Sequence, residues 1–209
     1  RLPCVIGGDH SCAGGTRTGV ARALQGSLGL VWIDAHMDAH TPGTSHTGRL
    51  HGMPLAWLLG QDDDPLYGLA AGVLEPRHVC LLGVRSFEPE EEARLRRLGV
   101  RVILMQEIEA RGIAAALGEA LAIATAGTAA FGISVDLDVV APEEAPGVGT
   151  PVKGGLDYRE AHLVMEMVAD SRRLVALDLV EVNPTLDIRN TTAELATELA
   201  LSALGKKIL

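Results

Sequence analysis

Leu30-Val31-Trp32-Ile33-Asp34-Ala35-His36-Met37-Asp38-Ala39-His40 sets a continuous apolar run directly before four potential metal ligands. The run, entered from Gly29, reads as a short strand buried on both faces, which is the signature of a parallel sheet. If the chain stayed extended past Ile33, Asp34, His36, Asp38 and His40 would fall at i, i+2, i+4 and i+6 and share one side. Carboxylates crowded in this way repel and raise one another's pKa, and a cation among them removes that penalty. A solvated polar loop is the plain alternative. It accounts for a lone Asp-x-His better than for this whole string.

Similar apolar runs recur at 4–6, 79–84, 100–105, 130–135 and 174–182. Segments of helical periodicity separate them, at 16–25, 54–59, 89–98, 113–124, 158–168 and 192–204. Strand–helix alternation predicts an α/β protein, a mainly parallel central sheet covered by helices on both faces as a three-layer α/β/α domain. No linker, repeat or low-complexity tract interrupts it, so residues 1–209 read as one domain. The first residue is Arg1 and the first strand starts almost at once, so the expectation is a domain lacking its N-terminal part.

In such sheets ligands gather beyond the carboxyl ends of the strands. Each candidate here follows an apolar run. Asp9 and His10 follow 5–8, Asp34, His36 and Asp38 follow 31–33, Asp136 and Asp138 close 131–135, and Glu181 follows 177–180. Four strand ends thus deliver acid or imidazole to one edge. Oxygen donors outnumber nitrogens and no cysteine takes part, which favours Mn²⁺ or Mg²⁺ over a structural zinc. Six ligands exceed what one tetrahedral ion takes, so two ions about 3.5–4 Å apart are the economical arrangement.

Composition narrows the partners. The 209 residues are 47% apolar and 22% charged, with a formal charge of −9 and only 3% aromatic residues. No basic patch suits nucleic acid and no apolar run suits a membrane span. Cys4, Cys12 and Cys80 are odd in number and lack C-x-x-C spacing, so they read as reduced thiols of a cytoplasmic protein.

Gly7-Gly8-Asp9-His10-Ser11, Asp-Ala-His-x-Asp at 34–38, His-Gly-Met-Pro at 51–54, Ser-Val-Asp-Leu-Asp at 134–138 and Glu-Val-Asn-Pro at 181–184 together resemble the ureohydrolases, and among them the arginase family. The resemblance covers nearly the whole chain, and the order of the motifs is more specific than any one of them. It implies two Mn²⁺ ions, one held by His10, Asp34, Asp38 and Asp136, the other by Asp34, His36, Asp136 and Asp138. Asp34 and Asp136 would bridge, and Asp9 would orient neighbours. It further implies that hydroxide attacks the guanidinium carbon of arginine to give urea and ornithine. His51 would shuttle the proton to the leaving amine and Glu181 would grip the guanidinium. Read without the motif, His51 is a helix-start histidine and Glu181 a strand-end charge in water.

By the same resemblance Ser45 and Thr47 match carboxylate-binding positions, and Glu88 and Glu91 match positions that recognise an α-amino group. His40 departs from the animal-type pattern, which has asparagine there, and Ala141 stands where aspartate is usual. The resemblance implies a homo-oligomer, a trimer or hexamer. Agmatine, guanidinobutyrate or formimidoylglutamate is the alternative substrate, and a catalytically idle assembly subunit the reading from another class. Single-zinc deacetylase chemistry fits the paired Asp-x-Asp poorly.

Overall fold

The computed structural model describes residues 2–60 and 73–208. Six strands form one parallel sheet: β1 (Cys4–Ile6), β2 (Leu28–Ile33), β3 (Val79–Val84), β4 (Arg101–Leu104), β5 (Ala130–Asp136) and β6 (Leu174–Val180). Their spatial order is β1-β6-β5-β2-β3-β4, and every neighbouring pair is parallel. Among the described residues seven α-helices connect and cover them: α1 (Cys12–Ala23), α2 (Pro54–Leu59), α3 (Pro89–Leu98), α4 (Met105–Arg111), α5 (Ile113–Thr125), α6 (Tyr158–Asp170) and α7 (Thr191–Ala203).

The period-two alternation of the strands sorts the core into two layers. Leu30 and Trp32 of β2 and Leu81 of β3 face one way and pack with Ala13 of α1, Leu55 and Leu58 of α2 and Leu95 of α3. Val31 and Ile33, Leu82, Ile133 and Leu179 face the other way and pack with Ile108 of α4, Leu117 of α5, Val164 of α6 and Leu199 of α7. This is the three-layer α/β/α arrangement expected from the sequence.

Connection handedness explains the division. From β1 the chain steps across the sheet to β2, β3 and β4, and right-handed crossovers put α1, α2 and α3 on one face. It then returns to β5 and β6, and the same handedness puts α4, α5 and α6 on the opposite face. The connections leave β2 and β5 on opposite sides, although these strands are neighbours. A crevice opens at that point, beyond the carboxyl ends of the strands.

Close approach demands glycine where α5 crosses β2 and where Arg17 meets β5. A Cβ on Gly29 would lie 1.8 Å from the Ala124 carbonyl oxygen, where α5 crosses β2. A Cβ on Gly132 would lie 2.0 Å from Nη1 of Arg17, which α1 sends down onto the sheet.

Candidate metal centre

The crevice between β2 and β5 is filled by carboxylates and imidazoles. β2 stops at Ile33, and the chain turns rather than continuing extended. Oδ1 of Asp34 accepts the amide of His36 at 2.7 Å, and Asp38 adopts a left-handed backbone, φ 49°. The expected strand-like alternation over 34–40 is therefore corrected. Asp34, His36 and Asp38 converge because the loop curls. His40 is carried away from them to a second group, with Nε2 3.1 Å from Glu88 Oε2 and 3.5 Å from Glu91 Oε2.

Around His10 the geometry is tight. Its Nδ1 lies 3.2 Å from Asp34 Oδ2, 3.0 Å from Asp38 Oδ2 and 3.3 Å from Asp136 Oδ2. His36 Nδ1 lies 3.0 Å from Asp138 Oδ2 and 3.5 Å from Asp34 Oδ1. Two donor groups result, His10–Asp34–Asp136 and Asp34–His36–Asp138, and Asp34 belongs to both. A turn holds Asp136 and Asp138 in place, as the Asp138 amide donates to Asp136 Oδ1 at 2.8 Å. Asp138 Oδ1 accepts the Ala35 amide at 3.2 Å and its Oδ2 the Thr150 hydroxyl at 3.1 Å.

Electrostatics shows what this crowding costs. Burial, then the neighbouring carboxylates, push Asp38 and Asp136 well above the usual carboxylate range, and Asp138 rises for the same reasons. Asp34 moves down despite burial, because His10 and His36 both face it. Burial opposes the charging of His36, yet Asp138 and Asp34 raise it to about 11. The set demands positive charge at its centre.

Divalent cations fit that demand. The donors are mostly carboxylate oxygens with two imidazole nitrogens, a set suited to Mn²⁺ or Mg²⁺. His10 Nδ1 and Asp38 Oδ2 are buried, point into the cluster and have no hydrogen-bond partner among the described residues. Those are the atoms that a cation would take.

A cavity of about 220 Å³ opens from the cluster, lined by His36, Asp38, His40, Thr47, Arg49, His51, Ser86, Glu88, Glu91, Asp136 and Thr150. Glu181, left-handed at φ 63°, sits at the end of β6. Its Oε1 accepts the His10 amide at 2.8 Å and lies 3.8 Å from His51 Nδ1. Burial raises its pKa, so it is not the water-exposed strand-end charge of the plain reading. Asp9 joins His51 and Glu181 in a further group, and its Oδ1 accepts the Ser11 amide at 2.9 Å.

The expected substrate-contacting residues divide. Thr47 lines the cavity, whereas the lining does not include Ser45, whose Oγ accepts the Gly48 amide at 3.0 Å. Glu88 offers a carboxylate that is 51% exposed. Glu91 is buried, and its oxygens accept the amides of Ala39 and Glu88, which ties the 34–40 loop to the start of α3.

Sequence reading passed over Arg49, Ser86 and Thr150 in the lining. It also passed over Arg85, whose guanidinium donates to the carbonyls of Asp138 at 2.6 Å, Val139 at 3.1 Å, Val152 at 2.7 Å and Lys153 at 3.1 Å. Only the basic residue type in the Arg85-Ser86 step, just past a buried strand, could have drawn attention to it.

Fold and site define a class: an α/β/α protein with a carboxylate–imidazole centre at the switch point of a parallel sheet. The model of the arginase family matches residues 1–205. An arginase of Bacillus caldovelox is 44% identical over 211 aligned positions, which take in 100% of this chain and 70% of that protein. The crystal structure of arginase from Bacillus cereus superposes with a TM-score of 0.95 at 42% identity, covering 100% of this chain and 72% of that one. The formimidoylglutamase of Bacillus subtilis subsp. subtilis str. 168 superposes with a TM-score of 0.86 at 29% identity, covering 98% of this chain and 60% of that one. The chain belongs to the arginase family, hydrolases of guanidino carbon–nitrogen bonds.

Proposed function

We infer that this chain is an amidinohydrolase that splits L-arginine into urea and L-ornithine at a centre of two Mn²⁺ ions. The observation that carries the reading is the convergence of His10, Asp34, His36, Asp38, Asp136 and Asp138 around shared Asp34, with Glu181 and His51 beside them. His10, Asp34, Asp38 and Asp136 would hold one ion, and Asp34, His36, Asp136 and Asp138 the other. Bound divalent ions supply Lewis acidity, lowering the pKa of water from 15.7 towards about 7.

The chain's own groups do the rest. Asp38 and Asp136 face the same cavity, which favours a cationic guanidinium, a group that stays protonated at neutral pH. Glu181 binds that guanidinium, and its anchor to the His10 amide fixes the carboxylate relative to the cluster. The departing amine needs a proton. His51 is placed to provide it, lining the cavity with Nδ1 3.8 Å from Glu181 Oε1.

The far end of the cavity suits an amino-acid head. The Glu88 carboxylate, with His40 against it, meets an α-ammonium, while Thr47 and the Arg49 guanidinium meet an α-carboxylate. The Arg49 side chain is exposed and lines the cavity, so its charge faces an entering carboxylate. That cation favours arginine over agmatine, which lacks the carboxylate.

The reading carries with it a cytoplasmic homo-oligomer, trimer or hexamer. Exposed Leu186, Ile188, Leu201 and Leu204 near and on α7 support assembly. No helix among the described residues is long and apolar enough to cross a membrane. Urea release from arginine and from agmatine by the Mn²⁺-loaded protein tests the function. Faster turnover of agmatine overturns the substrate, and undiminished activity after complete removal of metal overturns the mechanism.

A further inference from the structure

One edge of the His10 ring faces the carboxylates, and its opposite edge faces a polar row that none of the assigned roles uses. His10 Nε2 lies 2.9 Å from Ser134 Oγ, which lies 3.3 Å from Asp178 Oδ2. Arg17, wholly buried, donates to that same Oδ2 through Nε at 3.0 Å and Nη2 at 2.6 Å. Its remaining donors go to the carbonyls of Ala176, at 3.2 Å, and Ile133.

Strand register builds the row. Ser134 pairs with Trp32 of β2 on one side and with Asp178 of β6 on the other. All three therefore fall in line across the sheet. α1 follows His10 after a single intervening residue and delivers Arg17 onto the row, where Gly132 leaves the guanidinium room. The Trp32 ring stacks on His10, centroids 4.1 Å apart and planes within 10°, and its indole N–H donates to Asp34 Oδ2 at 3.0 Å.

Donor and acceptor rules then fix the tautomer. Asp178 Oδ2 accepts from the Arg17 guanidinium, so it accepts from Ser134 as well. The Ser134 hydroxyl spends its one hydrogen on Asp178 and must accept from His10. The hydrogen of the neutral ring is therefore on Nε2, and Nδ1 presents a lone pair to Asp34, Asp38 and Asp136.

We propose that Arg17, Asp178 and Ser134 are positioning residues that hold His10 in its Nε2–H tautomer and so make Nδ1 the atom that takes a divalent cation. The proposal rests on the metal-centre reading above. A partner of this kind on a ligand's far nitrogen is generally worth about 10–100-fold in metal affinity.

The test is titration of the full chain with Mn²⁺, following the free ion by electron paramagnetic resonance, for wild type, Ser134→Ala, Asp178→Asn, Arg17→Met and Arg17→Lys. Ser134→Ala, Asp178→Asn and Arg17→Met should bind the ion held by His10 about 10-fold to 100-fold more weakly, and Arg17→Lys should recover part of the loss. Ser134→Ala removes a single oxygen, so it keeps the test alive if the other variants fail to fold. Nitrogen-15 imidazole spectra of the Zn²⁺-loaded wild type should show hydrogen on His10 Nε2 and none on Nδ1. A His10 Nδ1–H, or wild-type affinity in Ser134→Ala, overturns the positioning role while leaving the metal centre standing. A wild type that binds no divalent cation overturns both, and it does so before any variant is made.

Discussion

His36 Nδ1 and Asp138 Oδ2 lie 3.0 Å apart, which ties the loop after β2 to the turn that ends β5. If both are ligands, Asp138→Asn should cost one ion with little change in shape. Metal content after exhaustive dialysis should fall from two ions per chain towards one, and urea release should vanish. Two retained ions would remove Asp138 from the ligand set.

His51 stands apart from the cluster and beside Glu181. His51→Ala should keep its Mn²⁺ and lose about 10²–10⁴-fold in kcat, the usual range for a general acid or base. Equilibrium dialysis together with steady-state kinetics separates the two effects. Metal lost in proportion to rate would make His51 structural.

Arg49 should set the preference for a carboxylate-bearing substrate. A charge-assisted hydrogen bond contributes about 1.5–3 kcal/mol, so Arg49→Met should lower kcat/KM for arginine about 10-fold to 100-fold. The kcat/KM for agmatine should hardly move. Equal losses on both substrates would show that Arg49 shapes the cavity rather than reading the carboxylate.

Arg85 pins the β5 turn to the 152–153 segment through carbonyls alone. Arg85→Met leaves those acceptors unpaired and should destabilise the fold by about 2–4 kcal/mol in urea denaturation. Unchanged stability would mean that water replaces the guanidinium at no cost.

His162, wholly buried between α6 and α7, shares a hydrogen with Ser202 Oγ at 2.9 Å and packs on Tyr158 with ring centroids 4.4 Å apart. Burial lowers its pKa below the usual histidine value, and Glu198 and Glu166 only partly restore it. The unfolded chain, with a histidine pKa of about 6.5, takes up the proton first as pH falls. The contribution is therefore intact above about pH 6.5 and is lost below it, towards the folded value. Unfolding free energies between pH 5 and 8 should fall less steeply with acid in His162→Gln than in wild type. Parallel slopes would rule this residue out as the source.

The sheet was legible because its inner strands β2, β3 and β5 are buried throughout and read as unbroken apolar runs. The part-exposed edge strands β1 and β4 are short apolar runs of the same kind. α4 escaped notice, since Met105–Arg111 follows β4 without a break and spans barely two turns. α1 begins at Cys12 rather than Thr16, because Gly14 and Gly15 look like a breaker. The helix tolerates Gly14 where Trp57 packs within 3.0 Å of the Cβ position. His40 was expected beside Asp38, and two local events parted them, the Asp34 side-chain turn and the left-handed Asp38. Arg17 left no sequence trace, because its partner Asp178 is 161 positions away and only strand register brings the two together.

The centre has a consequence for biogenesis. Asp136 and Asp138 follow Asp38 by about a hundred residues and Glu181 comes later still, so the cage closes only when distant parts of the chain have paired. Cation capture by the full set would therefore follow the pairing of β2 with β5.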